Sequence, residues 1–155
     1  MYKRLLVPLD GSPMSEAVLP HAEAIAASFR AESVLLRVIS SLEELYRSEV
    51  ELGKEGAAKE QAAQRSTAEA YLGGIAASMQ GKGLKVQSIV LDGPPAKTIR
   101  AVAEETEASL IAMSTHSHRG LVRAVLGSVT EEVVRQSRLP VLVVGPQSSA
   151  EPGPV

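Results

Sequence analysis

Short apolar runs alternate with longer mixed segments along the whole chain. The run "KRLLVPL" is stopped by "DGSP", after which Met14, Val18, Ala22, Ile25 and Phe29 recur at spacings of three and four, so a strand, a turn and an amphipathic helix are predicted. Ser12 is placed as the helix N-cap with Pro13 at the first helical position; Pro20 then falls inside the helix, where its missing N–H predicts a kink. "SVLLRVI", Ser33 to Ile39, is a second strand, and "KVQSIVL", Lys85 to Leu91, a third that begins with the alternation of an edge strand. Between them, Leu42 to Leu52 is poorly patterned and is expected to be irregular. Ala57 to Met79, rich in Ala, Glu and Gln, is expected to be helical despite Gly73 and Gly74. "GPPAKTIRAVAEETEA" opens with proline and continues through Ile99, Val102 and Ala103, a further helix. "SLIAM", Ser109 to Met113, is the fourth strand and "PVLVVG", Pro140 to Gly145, the fifth. A loop and a helix from Val129 to about Ser137 separate them. The Pro, Ser and Gly of "PQSSAEPGPV" predict a disordered tail over 146–155.

Strands alternating with helices imply an α/β fold: an open parallel sheet of five strands with right-handed crossovers and helices on both faces. The length of 155 residues suits one domain, read here as 1–145. In such sheets ligands bind beyond the carboxyl ends of the strands, where the winding direction reverses. Attention therefore falls on "PLDGS" after the first strand, "VIS" after the second and "MSTHSHRG" after the fourth.

Composition narrows the classes of function. A net charge of -2, with three Tyr, one Phe and no Trp, argues against a nucleic-acid partner, since both the cationic surface and the stacking platforms are missing. The absence of cysteine excludes disulfides, thiolate metal sites and cysteine catalysis, and fits the cytoplasm. No apolar run approaches a membrane span, and the opening segment does not read as a signal peptide. Walker A, G-x-G-x-x-G, G-x-S-x-G and H-E-x-x-H patterns are all absent.

The loop "MSTHSHRGLVRAVLGSV", Met113 to Val129, concentrates the chemistry. A helix starting at Ser128 leaves unpaired backbone N–H groups and a partial positive charge that favour an anion. Ser114, Ser117 and Ser128 add hydroxyls, and Arg119, Arg123, His116 and His118 add actual or potential positive charge. A structural role competes with this one. Ser128 to Glu131 spells a capping box that would satisfy the helix end internally, and Glu131 and Glu132 would repel phosphate. Asp10 has a similar alternative as the cap of its own "DGSP" turn. His116 and His118 have no carboxylate or cysteine companion and read as solvated loop residues, not metal ligands. His21 reads as a surface residue of the first helix, and Glu104, Glu105 and Glu107 as a solvated helix end.

Three stretches together, "LLVPLDGS", "THSHRGLVRAVLGSV" and "RLPVLVV", make the chain similar to universal stress proteins of the UspA type from Lys3 to Val144. The resemblance implies a Rossmann-like fold of the adenine nucleotide alpha hydrolase kind, with strand order 3-2-1-4-5. It also implies ATP, with ADP and AMP as alternatives, at the carboxyl ends of strands one and four. Nucleotide-binding relatives share the pattern Gly, two residues, Gly, nine residues, Gly, then Ser or Thr. With the terminal pair on Gly127 and Ser128, the two earlier positions fall on Ser114 and Ser117, so this chain keeps the spacing but has serine at both. By resemblance, Pro8 and Val38 lie beside the base, Met113 at the base of the loop, and Asp10 against adenine or ribose. Ser114, Thr115, His116, Ser117, Arg119, Gly127, Ser128 and Val129 surround the phosphates, with Mg2+ or Mn2+ as a bridging ion. Serine at a glycine position narrows the backbone's approach to phosphate and, if φ is positive there, costs about 1 to 2 kcal/mol, so weakened binding is expected. A binding module fits better than a slow ATPase or autophosphorylating enzyme, because the segment Ser114 to Ser128 holds no acid to carry a metal or orient water. A member acting through protein contacts alone is the third reading. The apolar last strand, Val141 to Val144, is expected to pair with its copy in a homodimer, as the resemblance also implies, unless helices or the tail cover it.

Overall fold

A computed structural model of the chain describes residues 1–39, 42–115 and 126–145. The expected tail, 146–155, lies outside them. Five parallel strands, β1 (Arg4–Pro8), β2 (Glu32–Ile39), β3 (Lys85–Asp92), β4 (Leu110–Ser114) and β5 (Val141–Val144), form a single sheet in the order β3-β2-β1-β4-β5. Helices α1 (Leu19–Phe29), α2 (Leu42–Gly81), α3 (Pro95–Glu105) and α4 (Ser128–Gln136) make the crossovers. The winding reverses between β1 and β4.

Strand alternation divides the core in two. Leu5, Val7 and Leu35 face Ala22 and Ala26 of α1 and Leu72, Ala76 and Met79 of α2. Leu6, Val34, Leu36 and Ile111 face Ile99 and Val102 of α3 and Val133 of α4. Leu5, Leu6, Leu35 and Leu36 are completely buried, each contributing about 1.5–3 kcal/mol, so the central strands read as unbroken apolar runs.

Two expectations along the chain are corrected. The segment after β1 forms a 3-10 turn (Ser15–Val18) before α1, which places Pro20 in the first turn of α1, where no N–H is needed, and no kink arises. Ser12 and Pro13 therefore lie ahead of the helix, whose N-cap is Val18, and the Ser12 Oγ instead accepts from the Ser15 N–H at 3.2 Å within the turn. Because that segment is a 3-10 turn, Met14 leaves the apolar stripe and is 43% exposed. Phe29, 45% exposed, sits edge-on to Tyr2 with ring centroids 5.1 Å apart. The second correction concerns Leu42 to Leu52, which is helical, the first arm of α2. Gly53, with φ 74° and ψ 169°, breaks the helix, and Ser48 Oγ donates to Glu60 across the break at 2.7 Å, so the arm folds back on the next turns as a helical hairpin. Glu43 and Glu44 in its first turn suit the helix dipole.

The β1–β4 seam is short. It has two registered pairs, Leu5↔Leu110 and Leu6↔Ile111, against eight between β2 and β3. Hydroxyls tie the seam at both ends. Ser109 Oγ accepts from the N–H groups of Lys3 (3.0 Å) and Arg4 (3.1 Å) at the amino end, and Ser114 Oγ donates to the Ser15 carbonyl (3.1 Å) at the carboxyl end.

Candidate functional site

The carboxyl ends of β1 and β4 meet at this seam. Asp10 follows β1 and folds its turn: Oδ1 accepts from the Ser12 N–H at 2.8 Å, and its own N–H donates to Ser15 Oγ at 3.3 Å. Gly11, at φ 87°, provides the left-handed backbone that lets the turn close. The capping role read for Asp10 is therefore present, and the carboxylate stays exposed at the strand end.

Ser114 is the last residue of β4 and is buried. Positive φ at non-glycine residues is confined, among the described residues, to Arg30 and Glu107, so serine at 114 sits in extended backbone without strain. Its hydroxyl proton is committed to the Ser15 carbonyl. Thr115, also buried, donates its N–H to Val144 at 3.0 Å, and its Oγ1 accepts from the Gly127 N–H at 3.0 Å. The two ends of the loop are thus joined directly. His116, Ser117, His118, Arg119 and Arg123 lie outside the described residues.

The capping box does not form. Gly127, not Ser128, is the N-cap of α4, and no side chain of the described residues caps the helix. Glu131 turns along the helix to Arg135, 2.5 Å away. Gly127 adopts φ -57° and ψ 154°, open to any residue. The first-turn N–H groups from Ser128 onward therefore face the carboxyl end of the sheet without a carboxylate above them, the arrangement that attracts an anion.

Of the two residues expected beside a base, Pro8 is half-buried at the end of β1 and Val38 half-buried on β2; Met113, expected at the foot of the loop, is buried against the α3–α4 face of the core. A cleft of about 950 Å³ opens over the ends of β1, β2 and β3, with Gly11, Val38, Ile39 and Gly93 on its floor and α2 as its roof. Two of its residues escape a sequence reading. Arg37 is half-buried and donates from Nη1 to the Val38 carbonyl at 2.7 Å. Tyr71 buries its hydroxyl near Ser15 and Glu16 without a bond of good geometry to either, and burial, then the nearby Glu16 carboxylate, push its pKa up. A charged residue inside an otherwise apolar buried strand was the available signal for Arg37. Among the described residues no three acidic or histidine side chains converge on a metal site, and no helix is long and apolar enough to cross a membrane.

Comparison with known proteins agrees with this fold. The model of the universal stress protein family matches residues 1–145. Universal stress protein MJ0577 of Methanocaldococcus jannaschii is 33% identical, over 96% of this chain and 98% of that one. YxiE of Bacillus subtilis, also a universal stress protein, is 31% identical, over 93% and 99%. The solved structure of MJ0577 superposes with a TM-score of 0.82, covering 96% of this chain and 99% of that chain. A universal stress protein solved in complex with cAMP shares the fold at 21% identity, with a TM-score of 0.66 over 94% and 98%.

Proposed function

The chain belongs to the universal stress protein family, and from that premise we propose that it is a cytoplasmic stress-response module that binds an adenine nucleotide, ATP, weakly at the carboxyl ends of β1 and β4. The observation that carries this reading is the uncapped start of α4, with Glu131 drawn away to Arg135. An anion placed there meets the first-turn N–H groups and the Ser128 hydroxyl. In this reading the base would lie toward Pro8 and Val38, with adenine or ribose against Asp10. The reading is supported by a neighbour of the same fold that was solved in complex with cAMP. Weak binding follows from serine in place of glycine at Ser114 and Ser117. At Ser114 the backbone is unstrained, so no cost of positive φ contributes there. A divalent ion, Mg2+ or Mn2+, would be carried by the phosphates, since the described residues gather no carboxylate cluster to hold it.

Gly127→Asp tests the reading. Aspartate is a preferred N-cap, so the variant should melt at or above the temperature of the parent, while its carboxylate occupies the anion position. Calorimetry should then show ATP affinity reduced by about tenfold or more. Equal affinity in a normally folded variant places the phosphates elsewhere and overturns the proposal.

A further inference from the structure

Arg37 stands one residue beyond the last bond between β1 and β2, the Leu9 N–H to the Leu36 carbonyl at 2.8 Å. Strand alternation sends its side chain to the α1–α2 side, where it bends over the end of β1. Its Nε lies 3.9 Å from where a Cβ would stand on Gly11. The guanidinium therefore spans the ends of both strands on the wall of the cleft, pinned by the Nη1 bond to the Val38 carbonyl. Among the described residues no ion pair engages it. A half-buried cation without a carboxylate keeps its remaining N–H donors for a ligand, and a guanidinium has no acceptor to offer in return.

We propose that Arg37 reads the base, and that the cleft takes 6-oxopurine nucleotides as well as adenine nucleotides. The proposal rests on the nucleotide reading above, which brings a base beside Val38. A 6-oxopurine presents O6 and N7 as adjacent acceptors, the pair that a guanidinium fork matches. Adenine presents an amino donor beside N7 on the same edge, so it meets Arg37 through one ring nitrogen at most.

Calorimetry of the full chain with ATP, GTP, ITP and 7-deaza-GTP, repeated on Arg37→Met, decides the matter. The parent should bind GTP and ITP at least as tightly as ATP, and should bind 7-deaza-GTP, which lacks the N7 acceptor, several-fold more weakly than GTP. In Arg37→Met the affinity for GTP and ITP should fall by about tenfold, within the range of one bidentate contact, while that for ATP changes less than about threefold. If the parent binds ATP but discriminates against GTP and ITP, or if 7-deaza-GTP binds as well as GTP, the role of Arg37 is overturned and the nucleotide reading stands. If the variant loses all nucleotides equally, Arg37 is not a reader of the base. If no nucleotide of either kind binds the parent, both readings fall. The 7-deaza comparison needs no variant and so survives a misfolded Arg37→Met.

Discussion

Tyr71 sets a polar atom against the core without a partner, and its neighbours explain the direction of its titration. Burial disfavours the phenolate, and the Glu16 and Asp10 carboxylates add to the penalty, so its pKa lies above the ordinary value. A group that ionises later in the folded protein than in the unfolded chain supports folding below the unfolded value, about 10, and loses that support as pH rises through its own raised value. Tyr71→Phe removes an unpaired buried hydroxyl and should leave stability at pH 7 unchanged or higher by up to about 1 kcal/mol. It should also soften the loss of stability above about pH 10. Urea melts at pH 7 and at pH 10.5 check both, and a variant markedly less stable at pH 7 would mean that the hydroxyl has a partner in solution. Ser114 illustrates the opposite case. Spacing marked it as a replaced glycine of a phosphate loop, but its backbone is extended and its hydroxyl holds β4 to the turn after β1. Which residue occupies a position is legible in sequence; which carbonyl its hydroxyl will face depends on a strand and a turn whose partners lie 99 residues apart.

The strands were the most legible elements, because an apolar run buried on both faces has one reading when helices flank it. The first arm of α2 was not legible for a matching reason. Tyr46 is 71% exposed, Val50 68% and Leu52 55%, so three of the arm's apolar residues point outward and interrupt any inward stripe. Its helix rests on local propensity and on its fold-back at Gly53. That glycine is accordingly the sensitive point of the element: Gly53→Ala puts a Cβ on backbone at φ 74° and should cost about 1 to 2 kcal/mol, felt mainly in the arm. Hydrogen exchange should show faster opening of Leu42–Leu52 than in the parent, with β1 and β4 protected as before. Unchanged exchange in the arm would show that Ser48 and Glu60 hold the fold-back without the glycine turn. The helix start at Ser128 was visible from sequence, but its cap was not, because the choice of Glu131 between the helix end and Arg135 is settled by side-chain geometry alone.

For the molecule as a whole, the two sheet edges differ in character. The β3 edge is polar and alternating, with Lys85, Gln87 and Ser88 exposed, and Arg65 of α2 reaches over it to the Val90 carbonyl and the Asp92 carboxylate, at 3.1 and 2.7 Å. The β5 edge is all apolar, and Val141, Leu142 and Val143 remain half-buried. Polar cover on one edge and bare valines on the other suit a proposed homodimer through β5. Sedimentation equilibrium at micromolar concentration should give twice the chain mass of 16.3 kDa, and Val143→Lys should halve it. A parent that stays at the single-chain mass would refute the dimer. The seam between β1 and β4 gives this arrangement a mechanical side. With two registered pairs along it and a serine tie at each end, the sheet resembles a book with a narrow spine: β3, β2 and β1 form the thick cover, and β4 and β5 the thin one. The uncapped start of α4 hangs from the thin cover, Asp10 and Arg37 from the thick one. A ligand bound as proposed would bridge the two covers across the spine, and the thin cover it touches is the one that also carries the β5 edge.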